Sequence, residues 1–138
     1  MKLIDRVDLA VTLAALVTTV LAVVSDDLRV PLVALATVAF VAGSALMAAG
    51  VAVGSARSRV EYVTLGGLLL LSKPHHAVAR SRLLRVLAAA QTVIGVAGAV
   101  ARPFTTVAFA VLIPMFGLGV MAWVGARDGD FEPRADDR

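Results

Sequence analysis

The sequence predicts an all-α fold: a membrane-spanning four-helix bundle of two helical hairpins, joined by an inner-leaflet elbow that is interfacial or re-entrant. Three observations predict it. Hydrophobic residues make up 59% of the 138 residues and charged ones only 17%, whereas soluble domains carry about a quarter charged residues. The charges sit in short clusters between long uncharged runs. Four of those runs approach the roughly 20 apolar residues that a helix needs to cross a hydrocarbon core.

The first span covers about 7–24, with Asp8 placed near the interface. Its charged start mixes signs (Lys2, Asp5, Arg6, Asp8), and "LAVVSDD" offers no small-residue cleavage site, so an uncleaved anchor is expected. The second span covers 30–54, the third 83–101 and the fourth 104–124. The short links "SDDLR" and "RP" make each pair a tight hairpin. Pro114 should kink the fourth span, because it lacks an N–H and crowds the preceding turn. These spans form a single domain over 1–126, followed by a mobile cytoplasmic tail over 127–138.

Lysines and arginines set the expected orientation. With the N-terminus inside, every Lys and Arg except Arg29 and Arg102 is cytoplasmic, and both termini are too. A multi-pass protein of a bacterial plasma membrane is the expected setting. The elbow, 60–82, opens with a run over 60–71 that is too short to span. Its Gly-Gly break is formally a hairpin signal, but a helix satisfies its own backbone in lipid, so a short helix ended by Pro74 is preferred.

Two groups of residues are candidates for function. Thr12, Ala15 and Thr19 continue a stripe from Asp8, while Gln91, Gly95 and Gly98 share one face of the third span. Gly43 and Gly50 on the second span, Thr92 on the third and Gly117 on the fourth complete a set of helix-packing or pore-lining positions. Small residues let helices approach closely, and Thr or Gln can hydrogen-bond across the contact. The second group, Lys73, His75, His76, Arg80, Arg82 and Arg85, is a juxtamembrane basic cluster suited to anionic lipid headgroups. "TVAF" at Thr37–Phe40 and again at Thr106–Phe109 also raises a possible duplication of the hairpin.

Several classes are disfavoured. Cysteine is absent, which removes disulfides and thiolate chemistry. Adjacent histidines project about 100° apart on a helix, so His75 and His76 chelate poorly and no metal site is expected. No hydrolase, metalloprotease or nucleotide-binding motif occurs, so neither an enzyme nor a cofactor is expected. The basic residues flank apolar runs, which argues against nucleic acid. The expected role is a non-catalytic accessory or scaffold acting through helix–helix packing, with another membrane protein or a second copy as partner. The alternatives are an oligomeric pore or carrier for a small neutral solute, and a protein that binds membrane lipids, anionic ones included.

The C-terminal quarter carries Arg102-Pro103-Phe104, Pro114-Met115-Phe116-Gly117-Leu118-Gly119 and Gly125-Ala126-Arg127, followed by Phe131 and Pro133-Arg134. In these features it resembles small uncharacterised four-span integral membrane proteins of actinobacteria. The resemblance implies a membrane location and transfers no activity or site residue.

Overall fold

The long apolar runs form helices whose backbone groups are satisfied within the segment, as lipid requires. The computed structural model describes residues 2–70, 78–129 and 131–133. Helix α1 spans Leu3–Val24, α2 Arg29–Arg57, α3 Leu65–Leu68, α4 Val78–Ala101 and α5 Pro114–Asp128. Short 3₁₀ segments, Asp26–Leu28 and Thr106–Leu112, precede α2 and α5. Among the described residues the only β-type pairing is an isolated bridge between Glu61 and Pro133.

Four helical stretches are long and apolar enough to cross a membrane: Leu3–Val24, Asp26–Arg57, Arg80–Ala101 and Thr106–Asp128. Their burial pattern is the reverse of a water-soluble bundle. On α1 the buried residues are Asp5, Asp8, Thr12, Ala15, Thr19 and Ala22, while Leu13, Leu16, Val17 and Val20 are 45–54% exposed. In water that arrangement would leave the driving force for folding outside. In hydrocarbon it places large side chains against lipid and small or polar ones against neighbouring helices.

The fourth stretch departs from the expected single kinked helix. Pro114 cannot donate to the Ala110 carbonyl and its ring crowds that group. The chain responds by tightening: Thr106–Leu112 is 3₁₀, and the Ile113 N–H donates to the Ala110 carbonyl at 3.1 Å. A new α-helix then starts with Pro114 in its first turn, where a missing N–H loses nothing. The same tetrapeptide "TVAF" is α-helical at Thr37–Phe40, where no proline follows closely. The two copies therefore differ in local structure.

This broken stretch is central. Its apolar window is 56% buried, against 22–33% for the other three. Close approach to α2 is what buries it. A Cβ on Gly119 would overlap the Gly43 carbonyl, one on Gly43 would overlap the Met115 carbonyl, and one on Gly50 would lie 2.7 Å from the Ala122 carbonyl carbon. Around these backbone contacts, Leu84, Phe116, Val120 and Met121 form one apolar cluster and Leu32, Val107 and Ile113 another.

The segment between α2 and α4 does not form the helix expected over 60–71. Among its described residues only Leu65–Leu68 is helical, capped where the Gly67 N–H donates to Thr64 Oγ1 at 3.0 Å and ended by Leu70 at φ 54°. Leu68 and Leu70 turn into the bundle and are each 7% exposed. Leu68 seats against Gly54 of α2, and its carbonyl fills the space beside Gly125 of α5. The chain after α5 also packs here. Phe131 lies under the Arg57 guanidinium at 4.9 Å and beside Gly67, and the Tyr62 N–H donates to the Glu132 carbonyl at 2.8 Å. Part of the tail expected from 127 is thus held against the bundle, while 134–138 lie outside the described residues.

The α2–α5 contact should therefore be intolerant of a single added methyl. Gly119→Ala is expected to destabilise the detergent-solubilised protein by about 1–3 kcal/mol, as overpacking does. Val38→Ala, at a 67% exposed position, should change thermal unfolding by less than about 0.5 kcal/mol.

Candidate functional site

Two polar constellations connect the helices, one inside the bundle and one at its end. The inner one is centred on Gln91, which is fully buried on α4. Its Nε2 donates to Asp8 Oδ1 at 2.8 Å and to Thr12 Oγ1 at 2.9 Å. Its Oε1 accepts from the Gly117 N–H at 2.9 Å. Thr12 Oγ1 in turn donates to the Asp8 carbonyl at 2.8 Å. One amide therefore ties α1, α4 and the start of α5 together.

Each bond has a local cause. Asp8 and Thr12 are four residues apart, so they stack on one face of α1. Gly117 lies at the start of α5, where the Phe116 N–H takes the Ile113 carbonyl at 3.0 Å and Gln91 supplies the acceptor for Gly117. The fit is close, because a Cβ on Gly117 would lie 2.8 Å from Gln91 Oε1. Asp8 Oδ2 and Thr19 Oγ1 are buried without a hydrogen-bond partner among the described residues.

Asp8, placed near the interface by the sequence, is enclosed by the bundle: α1 begins at Leu3, so Asp8 stands about 8 Å along the helix and is 0% exposed. Its place in the Thr12, Ala15, Thr19 stripe was the signal. The missing knowledge was that Gln91 would face it.

The other packing candidates are distributed as follows. Gly43 and Gly50 meet α5, and Gly95 meets the Ala110 carbonyl, with a Cβ there only 2.6 Å from its oxygen. Gly98 meets Thr19 across the α1–α4 contact. Thr92 turns outward and donates to its own helix, at the Ala88 carbonyl. Thr12, Thr19, Gln91, Gly95, Gly98, Gly43, Gly50 and Gly117 all face the interior, and Thr92 does not.

The second constellation closes the end that carries both described chain termini. Arg80, at the start of α4, pairs with Asp5 of α1 at 2.9 Å and with Asp128 of α5. Lys2 reaches the same Asp128 at 2.8 Å. Asp5 is 2% exposed and also accepts from the Lys2 backbone N–H at 2.9 Å, so its charge is matched on both sides. Nearby, Arg57 donates to the Ala126 carbonyl at 2.8 Å, a cation satisfying the last turn of a helix. At the opposite end Arg102 donates to the Val23 carbonyl at 2.8 Å and Arg29 pairs with Asp26 at 2.6 Å.

Of the basic cluster expected to meet lipid headgroups, Arg80 is thus turned toward two carboxylates. Arg82 is exposed, and Arg85 Nε donates to the Ser81 carbonyl at 3.2 Å. Lys73, His75 and His76 lie outside the described residues. Among the described residues there is no grouping of three or more His, Cys, Asp or Glu that could hold a metal. Sequence spacing could not have found the Arg80 pairs, whose members are 75 and 48 residues apart.

Two cavities adjoin this end. One, of about 440 Å³, is lined by Lys2, Ile4, Arg80, Trp123, Arg127 and Asp128. The other, of about 650 Å³, is an apolar groove between α1 and α2, lined by Leu3, Ile4, Val7, Ala45 and Leu46, with Phe116 of α5 also in its wall. Comparison with known protein families, curated proteins and solved structures finds no match to the chain.

Gln91→Leu removes three hydrogen bonds and strands the Gly117 N–H. It should destabilise the folded protein by about 2–4 kcal/mol, combining modest membrane hydrogen bonds with unmatched buried groups. In a double-mutant cycle read by unfolding in detergent, Asp8→Ala should cost less in that background than alone. At the charged end, Arg80→Gln should destabilise by about 1–3 kcal/mol by stranding Asp5. Adding Asp5→Asn should recover part of that loss.

Proposed function

We propose that the chain is a multi-pass membrane protein with both termini cytoplasmic, acting as a non-catalytic accessory or scaffold through helix–helix packing. The observation that carries this reading is a second small-residue seam on α2. Its inner seam, Ala36, Ala39, Gly43 and Gly50, is used by the chain itself. On its outer face Ala34, Val38, Val41, Ala45, Ala48, Ala52 and Ser55 are all exposed and recur at alternating steps of four and three residues.

That 3.5-residue period is the one that packs two helices at a shallow left-handed crossing. Alanine and serine there allow close backbone approach, which is the main source of helix association in lipid. A second transmembrane helix, from another membrane protein, fits this face. A pore lined by the Thr12 and Gln91 stripe has less support, since those side chains are hydrogen-bonded to one another inside the chain.

Native mass spectrometry of the tagged protein, gently extracted from its host membrane, tests this. A stoichiometric foreign membrane subunit is expected with wild type and is lost with Ala48→Trp or Ala52→Trp, which wedge the seam without touching the core. A wild-type protein that carries no foreign subunit overturns the reading. So does a partner that persists through both substitutions.

A further inference from the structure

The charged cavity and the apolar groove share a wall residue, Ile4. From this junction we propose a binding site for one anionic phospholipid, with its phosphate among Lys2, Arg80 and Arg127 and an acyl chain in the groove between α1 and α2. The site rests on the four helices being membrane-spanning; its groove shares Ala45 with the outer seam of α2, so it is tested on the purified chain with no partner helix present.

Charge complementarity sets the headgroup. Three cationic side chains line the 440 Å³ cavity, against the single carboxylate of Asp128. Lys2 and Arg80 already meet Asp128, and Arg80 is further matched by Asp5. Arg127 is different: among the described residues its guanidinium lies over the face of Trp123, at 5.0 Å. A phosphate entering here meets a guanidinium with its hydrogen-bonding edges uncommitted, suited to paired N–H contacts with phosphate oxygens. Trp123 supplies the amphipathic ring that favours the headgroup level of a bilayer.

Continuity and depth set the rest of the ligand. The groove holds about 650 Å³, and every side chain named on its wall is apolar. Its walls run from Leu3 to Val7 on α1 and from Ala42 to Ala49 on α2, the latter about 10 Å along a helix axis. An inorganic phosphate would leave that groove unused, and a neutral lipid would leave Arg127 unmatched. A lipid with an anionic head and a long chain fills both. Of the six cluster residues considered from sequence, this site uses Arg80 alone and adds Lys2 and Arg127 from the two chain ends.

The test is lipid retention by the full chain, purified from vesicles of equal phosphatidylglycerol and phosphatidylcholine and read by native mass spectrometry. One phosphatidylglycerol should be retained in preference to phosphatidylcholine. Arg127→Gln should weaken its apparent affinity about fivefold, the worth of one interfacial cation. Val7→Trp, which fills the groove from its exposed rim, should weaken it without altering the charged cavity. Both positions are solvent- or lipid-facing, and unchanged thermal unfolding would show that the fold is kept. Excess glycerol phosphate should not displace the lipid. Equal retention of phosphatidylcholine, unchanged retention by both variants, or displacement by glycerol phosphate would each overturn the proposal.

Discussion

The bundle depends on one buried amide. Pro114 interrupts the central apolar stretch, whose window is 56% buried, and an unmatched buried N–H or C=O there is expensive. The chain meets this constraint from two sides. The 3₁₀ tightening of Thr106–Leu112 lets Ile113 satisfy Ala110, and Gln91 reaches across from α4 to satisfy Gly117. Since the other end of that amide holds Asp8 and Thr12, repair of the break also fixes the positions of α1 and α4 relative to α5.

The glycine contacts follow from the same arrangement. A central helix covered on most sides must be approached closely by its neighbours, and lipid gives no hydrophobic push to bring them together. Dispersion between backbones is the available force, and it needs the short distances that Gly43 and Gly119 allow. The ion pairs do a different job. They gather Lys2, Asp5, Arg80 and Asp128 at one end, where partial solvation lowers the cost of charge. There they fasten the beginning of α1, the beginning of α4 and the end of α5. Thus the interior sets which faces meet, and the end sets how far each helix slides along its neighbour.

Much of this was legible in the sequence, and the reasons for the rest are specific. The four apolar stretches follow from run length, and the buried stripe Thr12, Ala15, Thr19 and the Gln91, Gly95, Gly98 face follow from helical periodicity. Periodicity says which residues share a face, but not which face they meet. It therefore could not pair Gln91 with Asp8. Pro114 announced a disturbance. Its extent, a full 3₁₀ segment over Thr106–Leu112, is not written in the spacing of the residues. The segment after α2 reads as an apolar run suited to a leaflet, yet Leu68 and Leu70 find better cover on Gly54 and Gly125. The Arg80 pairs lay beyond any local pattern because tertiary structure alone brings those residues together.

The claim that Gln91 completes the broken helix is tested most directly by hydrogen exchange of the Gly117 amide, followed by NMR in a lipid nanodisc. A helix-start N–H held by a buried acceptor should exchange only with opening of the bundle, at a rate matching core amides of α5 such as Val120. Gly117 exchanging orders of magnitude faster than Val120 would contradict the account, because the break would then be open to solvent and the amide bridge would not hold it.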